Sequence, residues 1–526
     1  MQRFTRAFAV YNHKQFGEMT RQAILALPSI PSISPSYPKG PFHFRDREYF
    51  IVEYETDIKR LKQVVPWPLV PASNRILYEW INMPDSSGFG SYSESGCVVP
   101  CLLNGEAVNY TLSMYLDDEP PTAAGRELWG FPKRHAMPSL RTEKDTLVGV
   151  LKHAGQLAVM GTMAFKHQRT DPALAADKLS RTTCNLRLIP DVNGGLTSAQ
   201  LVGFNLEDVE VKEAWTGPAR LHLNPHVTAP ASNLPVRRII GGTHMKTNLT
   251  LPLGRVMYDY KNPAFEYTPD DHDDDHLSPA KVLKAPAMPI MAPSYPRVLN
   301  HIHNRESLFI KYNTTREAIL ANLPYNVEAN DDNVVLLSWS KTESTGIGAY
   351  NKFNVHIPCR YNGEEFLFAV LSVMDSGVTL NAGREIYGQP CKYGFPSLFI
   401  DKDTLSAKLA FGEQECVAAT SLYKHSPMTL HDAAMLASTP ELNLKFIPGV
   451  SGAPDVAQLV AIRYGQPELD TSVMHKSTAR VALFPHVNAP VADFLVMEQS
   501  DCWAYHMRIK HCKLQGEVVH DYLLQE

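Results

Sequence analysis

Apolar and polar residues alternate in short runs along much of this 526-residue chain. Glu48 to Glu55, Arg75 to Met83 and Asn109 to Leu116 are rich in Tyr, Ile, Val and Phe and are bounded by turn residues, which predicts strands. Asn104-Gly105 lies between two apolar runs, the pattern of a tight hairpin. Asp57 to Val65 and Ala173 to Leu179 carry the spacing of short helices. Many strands of moderate length and few helices predict a mainly β fold, with a closed or half-closed barrel as its architecture.

The pattern occurs twice. Pro35-Ser-Tyr-Pro38 returns as Pro293-Ser-Tyr-Pro296 (293 − 35 = 258). Arg47-Glu48, Asn104-Gly105, Gly125-Arg-Glu127, Pro138-Ser-Leu140 and Lys166-His167 return at the same offset, as Arg305-Glu306, Asn362-Gly363, Gly383-Arg-Glu385, Pro396-Ser-Leu398 and Lys424-His425. So long a period means two whole domains, not a solenoid. The expected division is an N-terminal extension over 1–30, a first domain over 31–260, a linker over 261–291 and a second domain over 292–526. The linker contains Asp270-Asp-His-Asp-Asp-Asp-His276, and its polarity predicts a solvated bridge that cannot order itself, in preference to a divalent-metal site. Residues 1–18 carry Arg3, Arg6 and Lys14 with no acid before Glu18. An unstructured extension is the expectation there, and a mitochondrial presequence is the alternative.

Composition narrows the function. Hydrophobic content of 44% and charged content of 20% are those of a globular protein, and a net charge of −5 offers no footprint for nucleic acid. No apolar run is long enough to span a bilayer, so no membrane partner is expected. Eight cysteines without a C-x-x-C pair read as reduced and buried, which places the protein inside the cell, in the cytoplasm.

One stretch carries candidate chemistry. In Gly125-Arg-Glu-Leu-Trp-Gly-Phe-Pro-Lys133-Arg134-His-Ala-Met-Pro-Ser-Leu140, Lys133 is fenced by Trp129, Phe131, Pro132 and Met137, with the cation of Arg134 beside it. Apolar walls and a nearby cation both disfavour the ammonium form. A lysine so placed becomes a nucleophile toward a ketone.

Further segments extend the pattern: Tyr37-Pro-Lys-Gly-Pro41, Arg47-Glu-Tyr49, Tyr92-Ser-Glu-Ser-Gly96, Met114-Tyr-Leu-Asp-Asp-Glu-Pro120, Gly125-Arg-Glu-Leu128, Glu213-Ala-Trp-Thr-Gly-Pro218 and Tyr258-Asp-Tyr260. In this order and spacing, the first unit resembles the acetoacetate decarboxylase family from about Pro31 to Tyr260. The resemblance implies a cone-like β barrel around a buried lysine, assembly into homo-oligomers, a small 3-keto acid substrate and no cofactor or metal. It places the family's Schiff-base lysine on Lys133, its active-site arginine on Arg47 and its two active-site glutamates on Glu79 and Glu94. Arg134 departs from the family, which has a second lysine there, credited with lowering the pKa of the first. On an extended segment consecutive side chains face opposite ways, and Arg134 would then leave the pKa shift to burial.

The second unit lacks the amine. Cys391 stands in the place of Lys133, Lys352 in that of Glu94, and Leu337 or Ser338 in that of Glu79, while Arg305 remains. The expectation is one live and one silent domain, with Cys391 a buried, inert thiol. The alternative is a Schiff-base aldolase–dehydratase acting on a pyruvate-like acid. A non-catalytic scaffold is opposed by Lys133 in its intact set.

Overall fold

The computed structural model describes residues 15–262, 276–297, 301–344, 347–497 and 500–524. The fold is mainly β, in two tandem halves. In the first, strand Phe42–Glu55 lies between Arg238–Leu251 and Arg75–Ser86. Gly90–Leu103 and Glu106–Leu116 follow as a hairpin, turned by Asn104 and Gly105 at φ 52 and 85. Both angles are positive, as a two-residue hairpin turn requires. Thr183–Pro190, Leu196–Phe204 and Arg255–Asp259 extend this sheet. In the second half the matching strands run from His301–Asn313 to Trp503–Asp521, which pairs back with His301–Asn313 and closes a ring. In the first half residues 252–254 divide the corresponding closing strand in two.

Each half wraps a segment around the other. Met19 bridges to Pro324, the Ala329 amide donates to the Gln15 carbonyl at 2.7 Å, and Ile24 and Ile30 sit in the second half's core with Leu308 and Trp339. Reciprocally, Leu277, Val282 and Met288 are buried in the first half's core with Tyr78 and Leu186. The reading of 261–291 as a bridge that cannot order itself is therefore corrected for its described part. From His276, which is buried, the chain packs closely and forms the helix Pro279–Leu283. Its apolar residues are too few to order alone, but they complete a core that the other half supplies. Residues 15–30, read as extension, are bound in the same way. The presequence reading falls mostly on residues 1–14, and all of the His/Asp run before His276 falls on residues 263–275, outside the described residues.

All eight cysteines are free and buried. Among the described residues, no helix is long and apolar enough to cross a membrane.

Candidate active site

The short helix Glu119–Ala124 runs into a wider turn, Gly125–Trp129, and Gly130 ends it at φ 73. A Cβ on Gly130 would also fall 2.4 Å from the Arg187 Cα, so both conformation and space demand glycine there. The chain then enters strand Lys133–His135, which runs parallel to Met114–Leu116. Lys133 folds back over the turn it has just left. A Cβ on Gly125 would lie 2.6 Å from its Cδ and 2.8 Å from its Cε, so Gly125 leaves the channel that the side chain occupies.

Lys133, Glu94, Arg47 and Glu79 line one cavity of about 460 Å³. Lys133 Nζ is 2.6 Å from Glu94 Oε1, an ion pair by distance without good hydrogen-bond alignment, and it donates to the Pro121 carbonyl at 3.1 Å. The rings of Phe131 and Tyr92 stand 5.1 and 5.9 Å from Nζ. Burial lowers the Lys133 pKa, the Glu94 carboxylate opposes that shift, and the Arg47 guanidinium adds to it. Arg47 follows a bulge in its strand pairing and lies against Tyr49 and Phe44 at 4.8 and 5.2 Å. Its Nε is buried and has no hydrogen-bond partner among the described residues. A donor left in that state is suited to an anionic ligand.

Glu79 faces the same space but makes no ion pair with Arg47 among the described residues. Burial pushes its pKa up to about 7 against the pull of Arg47, and Glu94 adds to the rise. The folded state therefore holds this proton more tightly than the unfolded chain does. The resulting stability is fully present below about pH 4.5 and is lost as pH rises through about 7. Glu79→Gln should accordingly raise Tm at pH 8 and leave it nearly unchanged at pH 5, as melts at the two pH values would show.

The residues read as pocket walls divide. Phe131 lines the cavity. Trp129 stands behind it, buried against Phe42, with its indole N–H on the Pro252 carbonyl. Met137 is 62% exposed and is no wall at all: strand Lys133–His135 ends before it, and Met137 opens the next strand, Met137–Glu143, in a separate four-stranded sheet. Arg134 also faces away from the pocket. Its Nη1 donates to the carbonyls of Ala292 and Pro293, both at 2.7 Å, and so clamps the exchanged segment. Lys392 does the same in the second half, donating to the Ser34 carbonyl at 3.2 Å. Arg134→Ala should therefore cost about 2 kcal/mol of stability while kcat changes little, measured by denaturant unfolding and steady-state kinetics.

Tyr92 and Tyr49 were missed in the sequence. Each lies two residues from a singled-out charge on its own strand, and period two places them on the same face. Gly125 could not be recognised as spacing for Lys133 before the lysine's path was known.

In the second half Cys391 is fully buried, and burial pushes its thiol up to about 12, so it is inert. Ser338, not Leu337, takes the place of Glu79. Glu79 pairs with Ile51 and Gly96, and Ser338 pairs with Phe309 and Asn354 in the same manner.

The acetoacetate decarboxylase family pattern matches residues 27–261 and again 287–523. The chain belongs to this family, twice over, and is an enzyme of its carboxy-lyase type. Acetoacetate decarboxylase from Burkholderia mallei is 47% identical over 232 residues, covering 44% of this chain and 94% of the relative. Acetoacetate decarboxylase 1 from Mesorhizobium japonicum is equally similar, at 47% over 232 residues with the same coverage. The crystal structure of acetoacetate decarboxylase from Legionella pneumophila is 43% identical, covers 43% of this chain and 91% of that one, and superposes with a TM-score of 0.43.

Proposed function

We propose that the first half decarboxylates acetoacetate, or a related 3-keto acid, to a ketone and carbon dioxide through an iminium on Lys133. The observation that carries this reading is the lysine itself, buried, with a lowered pKa, in a cavity that also holds Arg47. The Lys133 amine attacks the ketone carbon, and water leaves to give the iminium. The iminium nitrogen accepts the electron pair of the breaking bond to the carboxylate, and carbon dioxide departs. Protonation of the resulting enamine at carbon and hydrolysis release the ketone and restore the amine.

The other groups act through charge. Arg47 draws in and orients the carboxylate with its free donor. Glu94, beside the nitrogen, disfavours the charged ground state of the carboxylate and is placed to pass a proton. Glu79 completes the polar face. At about 460 Å³ the cavity falls within the range of sites for ligands much larger than a four-carbon acid, so longer 3-keto acids fit as well.

The test is mass spectrometry after borohydride reduction in the presence of acetoacetate, run beside a carbon dioxide assay. An adduct mapped to Lys133 together with gas release supports the reading. An adduct without gas would favour aldol chemistry on the same iminium, and no adduct would refute both.

A further inference from the structure

The second half keeps a cavity of about 120 Å³ where the first has its site, and its polar groups are new. Glu441 replaces Thr183, His356 replaces Val98, Gln389 replaces Phe131 and Lys352 replaces Glu94, while Arg305 stays. Simple decay of an active site would leave apolar or unpaired remnants. Here the acid is satisfied instead. Glu441 accepts from Gln389 Nε2 at 2.7 Å and contacts His356 Nε2 at 3.3 Å, and against the upward push of burial the Lys352 charge, then these partners, hold its pKa well below the usual carboxylate range.

The cations are not satisfied. Arg305 commits two donors, to Thr342 Oγ1 at 3.1 Å and the Tyr350 hydroxyl at 3.3 Å. Lys352 is 6% exposed, lines the cavity, and has no hydrogen bond or ion pair within 4 Å among the described residues. Two cations, Lys352 and Arg305, face the single acid Glu441 in the cavity lining, so the cavity carries at least one uncompensated positive charge. An unpaired buried ammonium is costly, and it marks the place of a missing anion. Ile302, Met374, Leu436 and Ile509 supply apolar walls around it.

We propose that this cavity binds a short-chain carboxylate, non-covalently, between Lys352 and Arg305. Cys391 cannot take part covalently, being buried and protonated. The volume admits an acid of only a few carbons, whereas the first cavity has room for longer ones as well. The second half is then a ligand site in its own right and, on the function proposed above, takes only the shortest of the acids that the first half accepts.

The test is titration calorimetry of the full chain with 3-hydroxybutyrate, which has no ketone and forms no iminium. The wild-type chain should show a binding site that Lys352→Met and, separately, Arg305→Met each weaken by about tenfold or more. Both substitutions approximate the side-chain volume, and acetoacetate decarboxylation by each variant reports whether the chain is still folded. Should one variant fail to fold, the other decides the matter. A wild-type chain that binds no 3-hydroxybutyrate overturns the proposal, as does binding that is unchanged in the folded variants.

Discussion

Lys133→Ala should abolish decarboxylation of acetoacetate, with a loss of roughly 10⁴- to 10⁶-fold in kcat, the scale seen when a covalent nucleophile is removed. No other amine can substitute. Lys352 and Lys392 lie in the second half, one lining a cavity that lacks the counterparts of Glu79 and Glu94 and the other bonded to the exchanged segment. Arg134 faces away and cannot form an iminium. The variant should still fold, because the Lys133 side chain lines a cavity and its removal leaves the pairing of its strand with Met114–Leu116 intact. Circular dichroism and a melt would establish the fold, and initial rates the loss. Lys133→Arg gives a sharper control, since it keeps the charge beside Glu94 and removes the nucleophile. A folded Lys133→Ala chain with substantial turnover would refute the iminium course. Near-full activity in Lys133→Arg would show that the charge, not the amine, does the chemistry.

Much of this was legible in the sequence, for physical reasons that differ by element. The strands show because one face of each is buried, and burial writes period two into the residues. The tandem architecture shows because a constant offset survives wherever packing or turn geometry constrains the chain, as at Asn104-Gly105 and Asn362-Gly363. The charged set of the first cavity came from resemblance; spacing alone would not have joined Arg47, Glu79, Glu94 and Lys133 across separate strands. What stayed hidden depends on contact with the other half. The segment before Pro35 read as an extension and its counterpart before Pro293 as a solvated linker, and only the other half's core gives each a fixed place. Arg134 looked like a pKa tuner for the same reason, its acceptors being carbonyls 158 and 159 residues away. Glu79 and Ser338 differ by 259, one more than the repeat offset, and only strand pairing could settle which residue corresponds.

The dependence of one half on the other leads to the largest expected stability effect. Gly-Arg-Glu, retained in both halves, forms a reciprocal buried cluster. Arg384 donates from Nε and Nη2 to Glu127 at 2.7 and 3.1 Å, and Arg126 grips Glu385 likewise, with 2.9 Å from Nη2. Tyr37 and Tyr295 donate to the same two glutamates, which are 1% and 2% exposed. Arg126 also donates to the backbone carbonyls of Lys133 and Met288, both at 2.9 Å. A glutamate of the second half thus holds the arginine that binds the backbone of Lys133. Glu385→Ala should cost about 3–5 kcal/mol, because it strands a buried guanidinium. It should also lower kcat more than it raises KM, because the carbonyl of Lys133 loses its fixed donor. Replacing both partners, Arg126→Leu with Glu385→Leu, should recover much of the stability, since no charge is then left unpaired. Denaturant unfolding of the singles and the double gives the coupling directly. The same contacts predict that residues 19–265 expressed alone will aggregate or melt early. That fragment carries a segment belonging to the other core and lacks Val282 and Met288, which complete its own. A soluble, fully active fragment would show that the first half needs no second, and additive losses in the double variant would show that Arg126 and Glu385 do not act as a pair.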